Sequence, residues 1–360
     1  MVKKLKVGVV GAGHAGKLHL RALKHLNNVE IKTICDMNQD VVSKVAQEFG
    51  IPKYHIDFNT MLSETKLDFI TICTPPNSHA SLCIKAIESG VHVLVEKPFT
   101  QTTQEALSIL NALENNNNNV KVGVIHNSLF SRVTQKAIEL VKNGEIGNIL
   151  NVNIIETAPF NADPFITNMD HWHHKIPGGR ICESLPHQVY LAQEFIQTPK
   201  VSNILAKKLG NAHWVSFDEA LITLESDSAS GTIHWSRNAG IYEYAVYLIG
   251  SEGTIRINMV NGVIVIVRRS SNPILPIHIL NRLDGIRQTL FSFIRHNVGK
   301  QLRKCGIRQA YYSPHEVCFN SFIDNIINNQ EPYVNAQKGY ENMLVVDEIC
   351  TQLQNLLVNK

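Results

Sequence analysis

In the stretch GAGHAG, Gly11, Gly13 and Gly16 stand in G-x-G-x-x-G spacing directly after a short apolar run. Gly11 permits a tight turn, Gly13 has no side chain to hold a pyrophosphate away from the backbone, and Gly16 lets helix and strand pack closely. His14 and Ala15 open the helix, whose free N–H groups and partial positive charge suit phosphates. Asp36 follows twenty residues after Gly16, at the end of a second apolar run, and Met37 rather than an arginine comes next. A carboxylate there can accept from a ribose 2′-hydroxyl and repels a 2′-phosphate. The set favours NAD over NADP.

A second cluster begins in VLVEKPFTQT, where Val93, Leu94 and Val95 run straight into Glu96, Lys97 and Pro98. Charged residues are rarely buried unless paired, so this strand end asks for a function. In open α/β sheets ligands bind at the carboxyl ends of the strands. Glu96 and Lys97 at one such end, and Thr74, Pro75, Asn77 and His79 of TPPNSH at another, are therefore candidates for holding the cofactor. Lys97 can reach both a nicotinamide ribose and a substrate hydroxyl. Further along, Glu183 and His187 stand at i and i+4 of a helix beginning near Arg180, where a carboxylate could orient an imidazole. Oxidising an alcohol needs a hydride acceptor and a base, so Lys97, His187 and Glu183 are the catalytic candidates. Asn127, Trp172 and His174 are candidate substrate contacts. Asp170, His171, His173 and His174 crowd within NMDHWHHKIPGG, but their spacing differs from helical H-x-x-x-H ligation, and no metal site is expected.

The elements that must position these residues alternate at first. Val7–Val10, Val29–Cys35, LDFITICTPP, VHVLV and VKVGVI read as strands, separated by amphipathic segments with caps and glycine or proline stops. Such alternation implies a parallel sheet covered on both faces. From residue 149 onward, strands at 149–157, 214–224, 230–235, 242–249 and 254–257 succeed one another with turn signals between them, as in an antiparallel sheet.

Length and composition bound the rest. A chain of 360 residues favours two domains, and 44% hydrophobic with 18% charged residues are globular values. A net charge of +3 does not mark a nucleic-acid binder. Seven cysteines, an odd number with no C-x-x-C, argue against a disulfide framework or zinc knuckle and for thiols in a reducing cytoplasm. The first residues are too short for a signal sequence, and no apolar run reaches the roughly 20 residues of a membrane span.

GAGHAG, TPPNSH and EKP at these spacings resemble the Gfo/Idh/MocA oxidoreductases. NGEIGNIL (143–150), PGGRICESLPHQVYLAQEF (177–195), GSEGTIRIN (250–258) and EPYVNAQKGYENMLVVDEI (331–349) extend the resemblance over most of the chain. It implies an α/β protein: an N-terminal Rossmann domain with a doubly wound parallel sheet (1–126), then a substrate and oligomerisation domain with an open, mostly antiparallel sheet (127–360). It also implies a homodimer or homotetramer and a carbohydrate-like substrate. Many family members carry Asp where this chain has Glu183. The competing reading is a non-catalytic, dinucleotide-sensing regulator on the same fold.

The segment 268–308 departs most from that pattern. It holds nine basic residues against one acid, Asp284, with Ile279, Leu280, Leu283, Ile286, Leu290, Phe291 and Ile294 on a helical stripe. The stripe is expected to pack on the sheet or on a second copy of the chain. A lid over an anionic substrate and contact with an anionic membrane surface are the less favoured readings.

Overall fold

The computed structural model describes residues 4–116, 119–176, 178–269, 277–305 and 312–358. Two compact units emerge: Met1–Phe130 with Tyr312–Leu344, and Ser131–Tyr311 with Val345–Lys360. The chain thus enters the first unit twice, where a single cut near residue 126 would have assigned 312–344 to the second.

The first unit opens with strand β1 (Leu5–Val10), helix α1 (His14–Lys24), β2 (Val29–Cys35), α2 (Gln39–Phe49), β3 (Tyr54–His55), α3 (Phe58–Glu64) and β4 (Phe69–Ile72). It continues through α4 (His79–Glu88), β5 (His92–Val95), α5 (Thr103–Glu114) and β6 (Val122–Val124). All strands pair in parallel in the order β3-β2-β1-β4-β5-β6. The order reverses between β1 and β4, which is where such sheets open a crevice for a ligand. Val7, Val9, Phe69, Ile70, Ile72, Val93 and Val95 are fully buried, as strands covered on both faces require. Helix starts are set by local chemistry: Asn38 and Asp57 cap α2 and α3, and Thr102 with Glu105 forms a reciprocal capping box on α5.

The second unit begins with α6 (Arg132–Lys142) and β7 (Ile149–Thr157). Short helices α7 (Pro164–Thr167) and α8 (Arg180–Ser184) lead to α9 (Pro186–Phe195), which packs on β7. Strands β8 (Lys200–Lys207), β9 (Glu219–Glu225), β10 (Ser230–Ser236), β11 (Glu243–Gly250), β12 (Gly253–Asn258) and β13 (Val263–Arg268) complete a sheet of order β13-β12-β11-β7-β10-β9-β8. Only the β7–β10 pairing is parallel. Along β7, β10 and β11, residues such as Val152, Ile154, Ile233, Trp235, Val246 and Leu248 alternate inward, giving one buried face. Cys182 of α8 is disulfide-bonded to Cys350, across 168 positions, with their Cα atoms 5.8 Å apart. This corrects the expectation of thiols alone; an even or odd count cannot say which two cysteines the fold brings together.

Helix α10 (Ile277–Lys304) lies against the edge strand β13. There Gln288 accepts from the Ile266 N–H (2.7 Å) and donates to the Ile266 carbonyl (3.0 Å), capping the exposed edge. Ile286, Leu290, Phe291 and Ile294 point outward, with Ile286 and Phe291 each 65% exposed. The expectation that this stripe packs on the chain's own sheet is therefore overturned for these four. The side chains of Ile279, Leu280 and Leu283 lie outside the described residues. The chain then returns to the first unit through α11 (Pro314–Ile327) and enters α12 (Ala336–Val358). Glu316 of α11 pairs with His25 (2.6 Å), Glu331 with Lys121 (2.5 Å), and Phe322 meets Phe69 edge-on.

Candidate active site

The glycine loop of the first unit is shaped as a phosphate cradle. Gly11 sits at φ +100°, where an L side chain would be strained, and a Cβ there would lie 2.8 Å from the Cys73 carbonyl oxygen. A Cβ at Gly16 would run into the carbonyl oxygen of Gly11. Gly13 faces open space, so the backbone and the start of α1, with His14 and Ala15, are accessible to a pyrophosphate. Asp36 ends the loop on the β2 side. Its Oδ2 accepts from the Ala12 N–H (2.8 Å) and its Oδ1 from the Asn38 N–H (2.9 Å), which fixes the carboxylate beside the glycines. These residues fit a dinucleotide.

Across the switch point, His79 links two of the motifs read from sequence. The ring is fully buried; Nε2 lies 2.8 Å from the Thr74 carbonyl and Nδ1 3.0 Å from the Pro98 carbonyl. Burial pulls its pKa down. His79 thus ties TPPNSH to EKP through the backbone, while Pro75 and Asn77 are exposed on the loop. The Lys97–Pro98 peptide is cis.

The charge of Glu96 at its strand end has a partner in His19, which the sequence reading passed over. His19, on the inner face of α1, places Nε2 2.8 Å from Glu96 Oε1, and Glu96 Oε2 accepts from the Lys97 N–H (3.0 Å). His19 Nδ1 meets Thr71 Oγ1 (2.8 Å) and Cys73 Sγ (2.9 Å). Burial alone would keep this imidazole neutral, but the Cys73 sulfur and the Glu96 carboxylate outweigh it and raise its pKa to about 10. Glu96 is likewise penalised by burial, yet the His19 bond brings it down to about 2. His315 of α11 approaches the same carboxylate, Nε2 4.0 Å from Oε1, and burial pulls its pKa down. One carboxylate therefore faces a charged and a neutral imidazole. His19, Glu96 and His315 bring possible ligand atoms within 4.8 Å of one another. Asn127 reaches this corner too, with Nδ2 3.5 Å from His315 Nε2.

In the second unit Glu183 and His187 fall on two short helices, α8 and α9, joined at Leu185. Glu183 pairs with Arg180, and His187 Nδ1 lies 2.8 Å from the Tyr190 hydroxyl. Around them runs a buried ion network absent from the sequence reading. Asp163 Oδ2 accepts from Arg180 Nε (3.0 Å) and Arg237 Nε (2.8 Å), while Arg237 Nη2 donates to Glu156 (2.5 Å). Gln188 and Ser184 also turn to Glu156. Burial raises the Asp163 carboxyl, but Arg180 and then Arg237 prevail and hold it below the usual range. The network ties the loop of residues 160–176 to α8 through Asp163, and β7 to α8 and α9 through Glu156. Within that loop the rings of His173 and His174 lie 4.2 Å apart, with Nε2 atoms separated by 3.2 Å. Burial, then His174 and His171, bring the His173 pKa to about 3. Trp172 starts a 3-10 turn over Trp172–Lys175, and its side chain lies outside the described residues.

Comparison with known proteins agrees with this geometry. Residues 5–124 match the family model described as "Oxidoreductase family, NAD-binding Rossmann fold", and residues 134–256 match the "GFO/IDH/MocA C-terminal domain". The chain is 27% identical over 263 residues to the uncharacterized oxidoreductase YrbE of Bacillus subtilis (strain 168), covering 71% of this chain and 74% of that protein. It is 25% identical over 262 residues to myo-inositol 2-dehydrogenase of Thermotoga maritima, covering 70% and 74%. Among solved structures, an oxidoreductase from Agrobacterium radiobacter in complex with NAD+, L-tartaric acid and magnesium superposes with a TM-score of 0.78 at 17% identity, covering 98% of this chain and 97% of that one. The WlbA dehydrogenase from Bordetella pertussis in complex with NADH and UDP-GlcNAcA gives 0.75 at 18%, covering 98% and 96%. These two are likenesses of fold. With both of its units matched, the chain belongs to the Gfo/Idh/MocA oxidoreductase family, and its first unit is an NAD-binding Rossmann domain.

Proposed function

We propose that this protein is an NAD-dependent dehydrogenase or reductase acting on a secondary alcohol or ketone of a sugar, polyol or sugar derivative. The observation that carries the reading is Lys97, fixed at the carboxyl end of β5 by the buried Glu96–His19 pair, in the same unit as the glycine cradle. When bound, nicotinamide accepts or donates the hydride. Among the chain's own residues, Glu96 holds the Lys97 backbone, and Lys97 hydrogen-bonds the reacting hydroxyl and steadies its charge. His187, set by Tyr190, takes or returns the hydroxyl proton. Asn127, Trp172 and His174 contact the carbohydrate, and Asp36 selects NAD. The names of relatives support a sugar-like substrate: myo-inositol 2-dehydrogenase in sequence and, in fold, a dehydrogenase holding UDP-GlcNAcA. We propose that the enzyme works as a homo-oligomer. The test is NADH absorbance with a panel of polyols, sugars and nucleotide sugars. Substrate-dependent reduction supports the reading. Tight NAD binding without turnover on any of them would favour a dinucleotide-sensing regulator.

A further inference from the structure

We infer that α10 docks on an anionic lipid surface. The helix turns its polar side to the protein: Gln288 caps Ile266, the Ser292 hydroxyl faces the Ile264 carbonyl (3.4 Å), and His296 lies over Gly262. Its apolar side faces water. Ile286, Leu290, Phe291, Phe293, Ile294 and Val298 are all exposed, an apolar band along the helix. Isolated exposed apolar residues are ordinary, but six on one helix mark a surface that is covered in use.

Charge decides what covers it. Between Gly285 and Arg303 the helix carries Arg287, Arg295, Lys300 and Arg303 and no acidic residue. The first three are exposed beside the apolar band. Pairing with the same helix of a second copy would gather both sets of positive charges along one seam. A bilayer rich in anionic headgroups takes both features at once: the phenylalanine and aliphatic side chains enter the acyl boundary, and the basic groups meet lipid phosphates. The helix would lie flat, since no described helix is long and apolar enough to cross a membrane. The charge is local, because the whole chain carries only +3.

The experiment is co-sedimentation of the full-length protein with vesicles of phosphatidylcholine alone or mixed with phosphatidylglycerol. We expect roughly tenfold or greater preference for the mixed vesicles, falling steeply as salt is raised. Leu290→Asp with Ile294→Asp, and separately Arg287→Glu with Arg295→Glu, should each abolish most of the binding. Both pairs are exposed, so NAD binding by the first unit should persist and report intact folding. Absence of binding to the mixed vesicles, or binding indifferent to both variants, overturns the proposal. So does a concentration-dependent dimer dispersed by Leu290→Asp with Ile294→Asp in a protein that ignores vesicles, which would assign the band to a second copy.

Discussion

His19 and Glu96, 77 positions apart, meet through a single 2.8 Å bond between a fully buried imidazole and a carboxylate that also accepts the Lys97 N–H. The pair converts an isolated charge at a strand end into a fixed support for the next residue. Replacing His19 by Leu leaves Glu96 buried without its counter-charge, and we expect a cost of about 3–5 kcal/mol near neutral pH. The sign of the pH dependence follows from His19's raised value of about 10, against 6.5 for the free imidazole. The contribution is complete below 6.5 and is lost as pH rises through about 10. Urea denaturation of both proteins across the alkaline range should show the gap narrowing. A constant gap would remove the charge from the account.

Asp36 should set cofactor choice. Asp36→Ser loses a charged acceptor for the 2′-hydroxyl and removes the repulsion of a 2′-phosphate, so NAD should bind about 10- to 100-fold more weakly. The ratio of NAD to NADP affinity should fall with it. Fluorescence titration with both dinucleotides measures this. An unmutated protein that prefers NADP contradicts the assignment.

Lys97→Met should lower turnover far more than NAD affinity, since the lysine is assigned to the reacting hydroxyl. His187→Ala should cost roughly 10²–10⁴-fold in turnover if the imidazole transfers the proton. Steady-state rates on a verified substrate decide both. Full activity in the two variants would leave the chemistry to other residues.

The Cys182–Cys350 bond closes a loop of 168 positions. Its loss should lower stability by about 2–5 kcal/mol. Thermal unfolding with and without dithiothreitol, beside a Cys350→Ser variant, reads the effect; identical melting of reduced, oxidised and variant protein would mean that the bond carries no weight.

Much of the fold was legible because it is periodic. The second strand was read with its observed limits, Val29–Cys35, and the runs at 149–157 and 230–235 fall on β7 and β10. The edge strand β8 was missed. Only Ile204 among its residues is buried, so it lacks the apolar alternation by which strands are recognised. In the candidate site, Asp36 and Lys97 were visible because their motifs are local. His19, Asp163 and Arg237 were not, because their meaning comes from distant partners: Glu96 lies 77 positions from His19, and Arg237 lies 74 positions from Asp163 and 81 from Glu156. One signal was available: His19 lies three and four residues before Ala22 and Leu23, on the buried side of its helix. For α10 the helical stripe was legible, but a period identifies a face and never its partner.

The return of residues 312–344 to the first unit has a consequence for how the protein is made. Strand β6 is completed late, when the Val124 N–H finds the Val334 carbonyl (2.9 Å) and Gly123 bridges Asn335. On the ribosome the first unit therefore waits for most of the chain. At about 5–20 residues per second, the interval between Phe130 and Tyr312 is roughly 10–40 s, during which part of its core lacks cover. A gene fragment ending near residue 130 encodes an incomplete nucleotide unit, and exchange of this unit between genes would have to carry two separate segments together.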